Sequence, residues 1–121
     1  MAVRVLVVDD HEPFRRAARA VIQEVDGFEL AGEAVDGETS IDAARELEPD
    51  IVLMDINLPG MSGVEAARRI RAAFPSTVVM LMSTRDGAAF ERQAAECGAA
   101  AYLPKAQLSP EHLAELWAAT K

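Results

Sequence analysis

Short apolar runs rich in β-branched residues recur along this chain, and helical patterns lie between them. Residues 3–8, 50–56 and 77–82 are runs of this kind, residues 99–103 form a weaker one, and residues 28–34 alternate as an edge strand does. A run apolar on both sides has no face to offer water, so it belongs inside a parallel sheet covered on both faces. Between the runs, residues 12–25 place Phe14, Ala17, Ala18, Val21, Ile22 and Val25 on one stripe. Residues 39–47 do the same with Ile41, Ala44 and Leu47, and Pro49 stops the pattern. Ser62, with Glu65 three residues later, has the form of a capping box. It opens a helix with Val64, Ala67 and Ile70 inward and Arg68, Arg69 and Arg71 outward, ended by Pro75. An Ala-rich helix follows over 88–97, stopped by Gly98, and Ser109-Pro110-Glu111 starts the last one, whose face is Leu113, Leu116 and Trp117.

Strand and helix therefore alternate five times in 121 residues, enough for one domain. Crossovers between parallel strands are right-handed, which leaves few topologies. The expected architecture is α/β: a flavodoxin-like, doubly wound five-stranded parallel sheet, order 2-1-3-4-5, with helices on both faces. Half of the residues are apolar, so the core needs no covalent staples. The single cysteine, Cys97, permits no internal disulfide and suits a reducing cytoplasm. No apolar run approaches the roughly 18 residues of a membrane helix. Asp9 and Asp10 cut the first run too short for a signal peptide. A net charge of −8 argues against this segment gripping nucleic acid by itself.

Ligands in such sheets bind beyond the carboxyl ends of the strands. Strand 1 ends in Asp9-Asp10, strand 3 in Asp55, strand 4 in Ser83-Thr84, and strand 5 runs out at Lys105. Carboxylates gathered on one rim repel one another and need a cation or raised pKa values to coexist. Oxygen-only ligation suits a hard divalent ion such as Mg²⁺ (or Mn²⁺). A carboxylate so neutralised can attack phosphorus, with the lysine and hydroxyl holding the oxygens of the transferred group. One strand-end Asp alone would be an ordinary turn residue. It is the convergence of four strand ends that points to chemistry.

The segments VRVLVVDDHEPF, DIVLMDINLPGMSGVEAARRIR, VVMLMST and GAAAYLPK resemble the four signature segments of response-regulator receiver domains. The likeness covers essentially the whole chain, so residues 1–121 are expected to form one receiver unit with no output domain among them. It implies that Asp55 accepts a phosphoryl group from a histidine kinase. Asp10, Asp55 and the backbone carbonyl of Asn57 would hold Mg²⁺, with Asp9 acting mostly through water. Lys105 would pair with phosphoryl oxygens, Ser83 would bond the group on activation, and Tyr102 would be the switching aromatic. It further implies a homodimer on phosphorylation and a DNA-binding output elsewhere.

Two departures stand out. Ala106 replaces the proline that often follows the lysine, so an all-trans loop is expected; with VVDDH, this is similar to receivers that precede a LuxR-like helix-turn-helix domain. Thr84 replaces the usual Ala or Gly and would narrow the approach to Asp55. Apart from Lys121, Lys105 is the only lysine in an arginine-using chain. The loop 59–63 is read as scaffold, His11 and His112 as solvated helix residues, and Cys97 as packing. Two other readings remain. An aspartate-nucleophile phosphatase of the haloacid dehalogenase type would need a D-x-D spacing that Asp9-Asp10-His11 lacks. A phosphorylation-independent dimerisation module would not need the acidic pocket.

Overall fold

A computed structural model of the chain describes residues 2–84 and 88–120. Five strands, β1 (Val3–Val8), β2 (Phe28–Ala34), β3 (Ile51–Asp55), β4 (Val78–Ser83) and β5 (Ala101–Pro104), form one parallel sheet in the order β2-β1-β3-β4-β5. The helices are α1 (Glu12–Gln23), α2 (Gly37–Leu47), α3 (Gly63–Ala73), α4 (Ala88–Glu96) and α5 (Pro110–Ala119), with a 3-10 turn at Lys105–Gln107. The expected order and class are those observed.

Alternate strand residues feed two cores, one on each face. Val5, Val7, Ile51, Leu53, Met80, Met82 and Leu103 meet Ala18 and Ile22 of α1 and Leu113 of α5. Leu6, Val8, Val52, Met54, Val79 and Leu81 meet α2, α3 and α4 through Ala44, Ala67, Ile70 and Ala94. Residues 51–54 are wholly buried, which is why β3 carries no polar residue until Asp55. That strand therefore ends where its first charge begins, at the carboxyl edge.

Several helix ends follow local chemistry. Ser62 accepts from the Glu65 amide at 3.2 Å and Ser109 from the His112 amide at 3.1 Å. Glu65 does not complete the capping box; its carboxylate turns to Arg68 (3.0 Å) and Arg69 (2.9 Å). Arg71 is not a solvated partner of these two, because it folds back to donate to the carbonyls of Pro75 and Thr77. α2 begins at Gly37, earlier than the apolar pattern indicates, because Asp36 accepts from the Thr39 amide at 2.8 Å. α1 stops at Gln23, and Ala17 of its stripe lies exposed. β5 starts two residues later than the sequence suggests. Gly98 turns left-handed (φ +87°) and the Ala99 amide still closes α4 on Ala94 at 2.9 Å.

The loop after β3 is held by a close approach. The Gly63 amide donates to Ile56 at 2.9 Å, and a β-carbon at Gly63 would stand 2.0 Å from the Asp55 carbonyl oxygen. No side chain fits there without moving the backbone of Asp55 itself. Gly63→Ala is expected to lower unfolding free energy by about 3 kcal/mol, the upper part of the overpacking range, because the clash is with backbone. Urea unfolding checks this, and a loss under about 1 kcal/mol would contradict the packing argument.

Candidate functional site

The carboxyl edge brings the strand-end residues together. Asp9 is completely buried just past β1, and Asp55 at the end of β3 is 4% exposed. Asp10 is exposed beside them, and Asp9, Asp10 and Asp55 each offer a carboxylate oxygen within 4.8 Å of the others. Lys105 follows β5 and returns its ammonium to this group. Nζ lies 2.5 Å from Asp9 Oδ2 and 3.5 Å from Asp55 Oδ2, with the side chain 11% exposed. Ser83 is buried at the end of β4, opposite Pro104 of β5, so its position is fixed by the same sheet edge.

Backbone groups orient the acids. Asp9 Oδ1 accepts from the His11 amide at 2.8 Å, and Asp55 Oδ1 accepts from the Asn57 amide at 3.2 Å. Asp9 Oδ2, although close to the ammonium, accepts no hydrogen bond of good geometry among the described residues. One ammonium thus serves both buried carboxylates, and such an excess of oxygen donors suits an oxygen-seeking cation. Two residues that sequence reasoning passed over support the acidic turn. Arg15 donates to the Asp9 carbonyl at 2.8 Å and to Glu33 of β2 at 3.1 Å. Arg19 also binds Glu33, and this hydrogen bond, with the charges of both arginines, holds the Glu33 carboxyl below its ordinary range. Phe14 lies in the first turn of α1, with Lys105 Nζ 4.5 Å from its ring centroid. Its signal in the sequence was only a large apolar residue four positions after Asp10.

The other expected residues fall as follows. Tyr102 is half-buried on β5, opposite Leu81, and packs on the core face covered by α2, α3 and α4. Asn57 is exposed immediately above Asp55. Thr84 is exposed and helps to line an open cleft of about 420 Å³ with Phe14 and Lys105, so it borders the site. No peptide bond among the described residues is cis, as Ala106 indicated. His11 is exposed, His112 half-exposed and Cys97 buried. Lys121 lies outside the described residues.

Burial pushes the Asp55 carboxyl above the ordinary carboxylate range. The Lys105 charge opposes this, the Asp9 charge adds to it, and the Asn57 amide opposes it. A carboxyl raised on folding binds more protons in the folded state, so stability falls as pH rises from its unfolded pKa through its folded one. Asp55→Asn removes the buried charge. In divalent-free buffer the variant is expected to melt higher than the wild type at neutral pH. Its advantage should shrink as pH falls toward about 4 and vanish well below it, where the wild-type carboxyl is protonated in both states. Thermal melts across that range test this, and a variant that melts lower at neutral pH would contradict it.

Known proteins place this arrangement. Residues 5–118 match the family model described as the response regulator receiver domain. The chain is 39% identical over 103 residues to the response regulator GacA of Pseudomonas viridiflava, covering 85% of this chain and 48% of that protein. It is 42% identical over 106 residues to a protein-glutamate methylesterase/protein-glutamine glutaminase of Alkalilimnicola ehrlichii, covering 87% of this chain and 27% of the enzyme. The chain thus spans half or less of the length of these curated relatives. A crystal structure of a LuxR-family two-component response regulator from Aurantimonas superposes with a TM-score of 0.89 at 34% identity, covering 99% of this chain and 85% of the other. The chain belongs to the response regulator receiver domain family.

Proposed function

We propose that Asp55 is the phosphoacceptor of this receiver, taking its phosphoryl group from the phosphohistidine of a sensor histidine kinase. The observation that carries this reading is the buried Asp55 carboxylate, which shares the Lys105 ammonium with Asp9 at the carboxyl edge. An Asp55 carboxylate oxygen forms a bond to phosphorus while the bond from phosphorus to the donor's imidazole nitrogen breaks. The electron pair stays on the imidazole, and the protein gains an acyl phosphate. Lys105 supplies a compact positive charge where the equatorial oxygens gather negative charge.

Among the described residues, the acidic cluster fits a hard divalent ion, because its donors are all oxygens and three carboxylates crowd around one ammonium. Asp10, Asp55 and the carbonyl of Asn57 would hold Mg²⁺, or Mn²⁺ in its place, with Asp9 reached through water. Such an ion would neutralise charge on the acids and on the phosphoryl oxygens. Asp55 and Asp9 are kept in place for it by the Asn57 and His11 amides and by the buried strands below.

The phosphoryl group then biases a two-state element. Ser83 and Tyr102 stand on neighbouring strands, so a new hydrogen bond from Ser83 alters the space that Tyr102 occupies. Moving a two-state equilibrium from 1:99 to 99:1 takes about 5.5 kcal/mol of differential stabilisation. A dianion held by Lys105, Ser83 and a divalent ion is of that order. The signal would leave through the face formed by α4, β5 and α5, by homodimerisation or by contact with an output domain outside residues 1–121. A DNA-binding output of LuxR-like type is supported by the likeness to a LuxR-family relative, and with such an output the function would be transcriptional control in the cytoplasm. The acidic receiver would make no contact with DNA of its own.

Incubation with acetyl phosphate and Mg²⁺ is expected to add one phosphoryl group to the intact protein, read by mass spectrometry. Asp55→Asn should take none, and equal labelling of the variant would remove the assignment. Ser83→Ala should still be labelled but should lose the amide NMR shifts that beryllofluoride produces at Tyr102 and in α5. Wild-type shifts confined to the loops around Asp55 would rule out the switch.

A further inference from the structure

Lys105 has a task that its own chain flexibility works against. Its ammonium must remain between two carboxylates, yet it rides on four rotatable bonds that lose considerable freedom when fixed. The backbone gives it limited help, because Lys105 starts a three-residue 3-10 turn past the end of β5, beyond the last ladder pair, Ser83 with Pro104. Asp9 draws Nζ to 2.5 Å while Asp55 stands at 3.5 Å, so electrostatics alone favours Asp9 and pulls the ammonium off the acceptor.

Nζ also lies over the ring of Phe14, 4.5 Å from its centroid. The ring is itself held: Phe14 packs against the core under α1 and α5, and its amide donates to the His11 carbonyl at 3.1 Å. The helix turn that carries Phe14 begins at Glu12, directly after the Asp9–His11 turn, so ring and carboxylates are borne by one short stretch of chain. An aromatic face is negative at its centre and attracts a cation without offering a proton acceptor. That attraction is strongest where the cation is largely desolvated, as the 11% exposed Lys105 side chain is. An aliphatic residue at 14 would fill the same space but would leave the ammonium held by carboxylates alone.

We propose that Phe14 is a positioning residue for phosphoryl transfer: its ring face fixes the Lys105 ammonium beside Asp55 through a cation–π contact. This rests on the reading of Asp55 as acceptor. Phe14 carries no group that could take part in the transfer and acts through Lys105.

The test keeps the ring's size and changes its charge distribution. Mono-, di- and trifluorinated phenylalanine placed at position 14 of the intact protein drain the ring face stepwise. Two readouts are followed. The first is the side-chain NMR of Lys105, easily assigned because the chain has only two lysines, Lys105 and Lys121. In the wild type the Lys105 methylene protons next to nitrogen should lie upfield of those of Lys121, shielded by the ring. The second is the rate of labelling by acetyl phosphate with Mg²⁺. It should fall stepwise with fluorination, and Phe14→Leu should lose roughly tenfold, as expected for removal of one desolvated cation–π contact. Phe14→Trp, which restores a strong ring face, should keep both the upfield shift and a rate near wild type.

A Lys105 signal coincident with that of Lys121, or a labelling rate flat across the fluorinated series, overturns the proposal. A rate that follows side-chain volume instead of ring charge, with Phe14→Leu and Phe14→Trp equally impaired, overturns it as well. Failure of the underlying acceptor reading looks different: wild type and Asp55→Asn would then be labelled alike or not at all.

Discussion

One ammonium is shared by two buried carboxylates at the carboxyl edge of the sheet, and a third carboxylate stands exposed beside them. The remainder of the site answers to that excess of negative charge. A buried carboxylate is tolerated when its oxygens are hydrogen-bonded or paired. Asp55 has an amide on one oxygen and half of a lysine on the other; Asp9 has an amide, and an ammonium that is close without good hydrogen-bond geometry. Burial leaves Asp55 harder to ionise than an ordinary aspartate. A site in this condition gains from anything that brings positive charge or that turns the carboxylate into an ester-like group.

The fold can hold such a site because the strand that carries Asp55 is packed on both faces. β3 is buried along its whole length between two cores, so Asp55 is carried on a fixed rod. Gly63 brings α3 against the Asp55 carbonyl, and the paired Arg15 and Arg19 fasten the turn after β1 to Glu33 of β2. In the proposed division of roles, Asp55 and Lys105 would serve the chemistry at the edge, whereas Ser83 and Tyr102 sit on the neighbouring strands β4 and β5.

The parts of this arrangement that obey periodicity were legible in the sequence. Five buried runs predict five parallel strands, and the rule that ligands collect beyond strand ends selects Asp9, Asp10, Asp55, Ser83 and Lys105 without any structure. The likeness of the same segments to receiver domains agrees with the family the chain belongs to, which sets the hydrolase reading aside. Side-chain direction was not legible. Nothing in the spacing says that Phe14 leans over Lys105 or that Arg15 reaches the Asp9 carbonyl, because the first contact joins elements far apart in sequence and the second depends on how a long side chain folds back across one turn. Helix ends were misjudged where one hydrogen bond decides them. Asp36 starts α2 before its apolar stripe begins, and the left-handed Gly98 delays β5. Among the loop glycines, Gly63 is the reason β3 and α3 can meet, which the sequence pattern alone does not tell.

If unrelieved negative charge is the constraint that organises this edge, a divalent cation should stabilise the folded chain through these carboxylates. The direct measurement is the melting temperature of the wild type and of Asp9→Asn as Mg²⁺ is raised at neutral pH. The account predicts a saturable rise for the wild type, worth about 2.7 kcal/mol when Mg²⁺ reaches a hundred times its dissociation constant. The rise in Asp9→Asn should need much more Mg²⁺. A wild-type melting temperature indifferent to Mg²⁺, or the same rise at the same concentrations in both proteins, would contradict it.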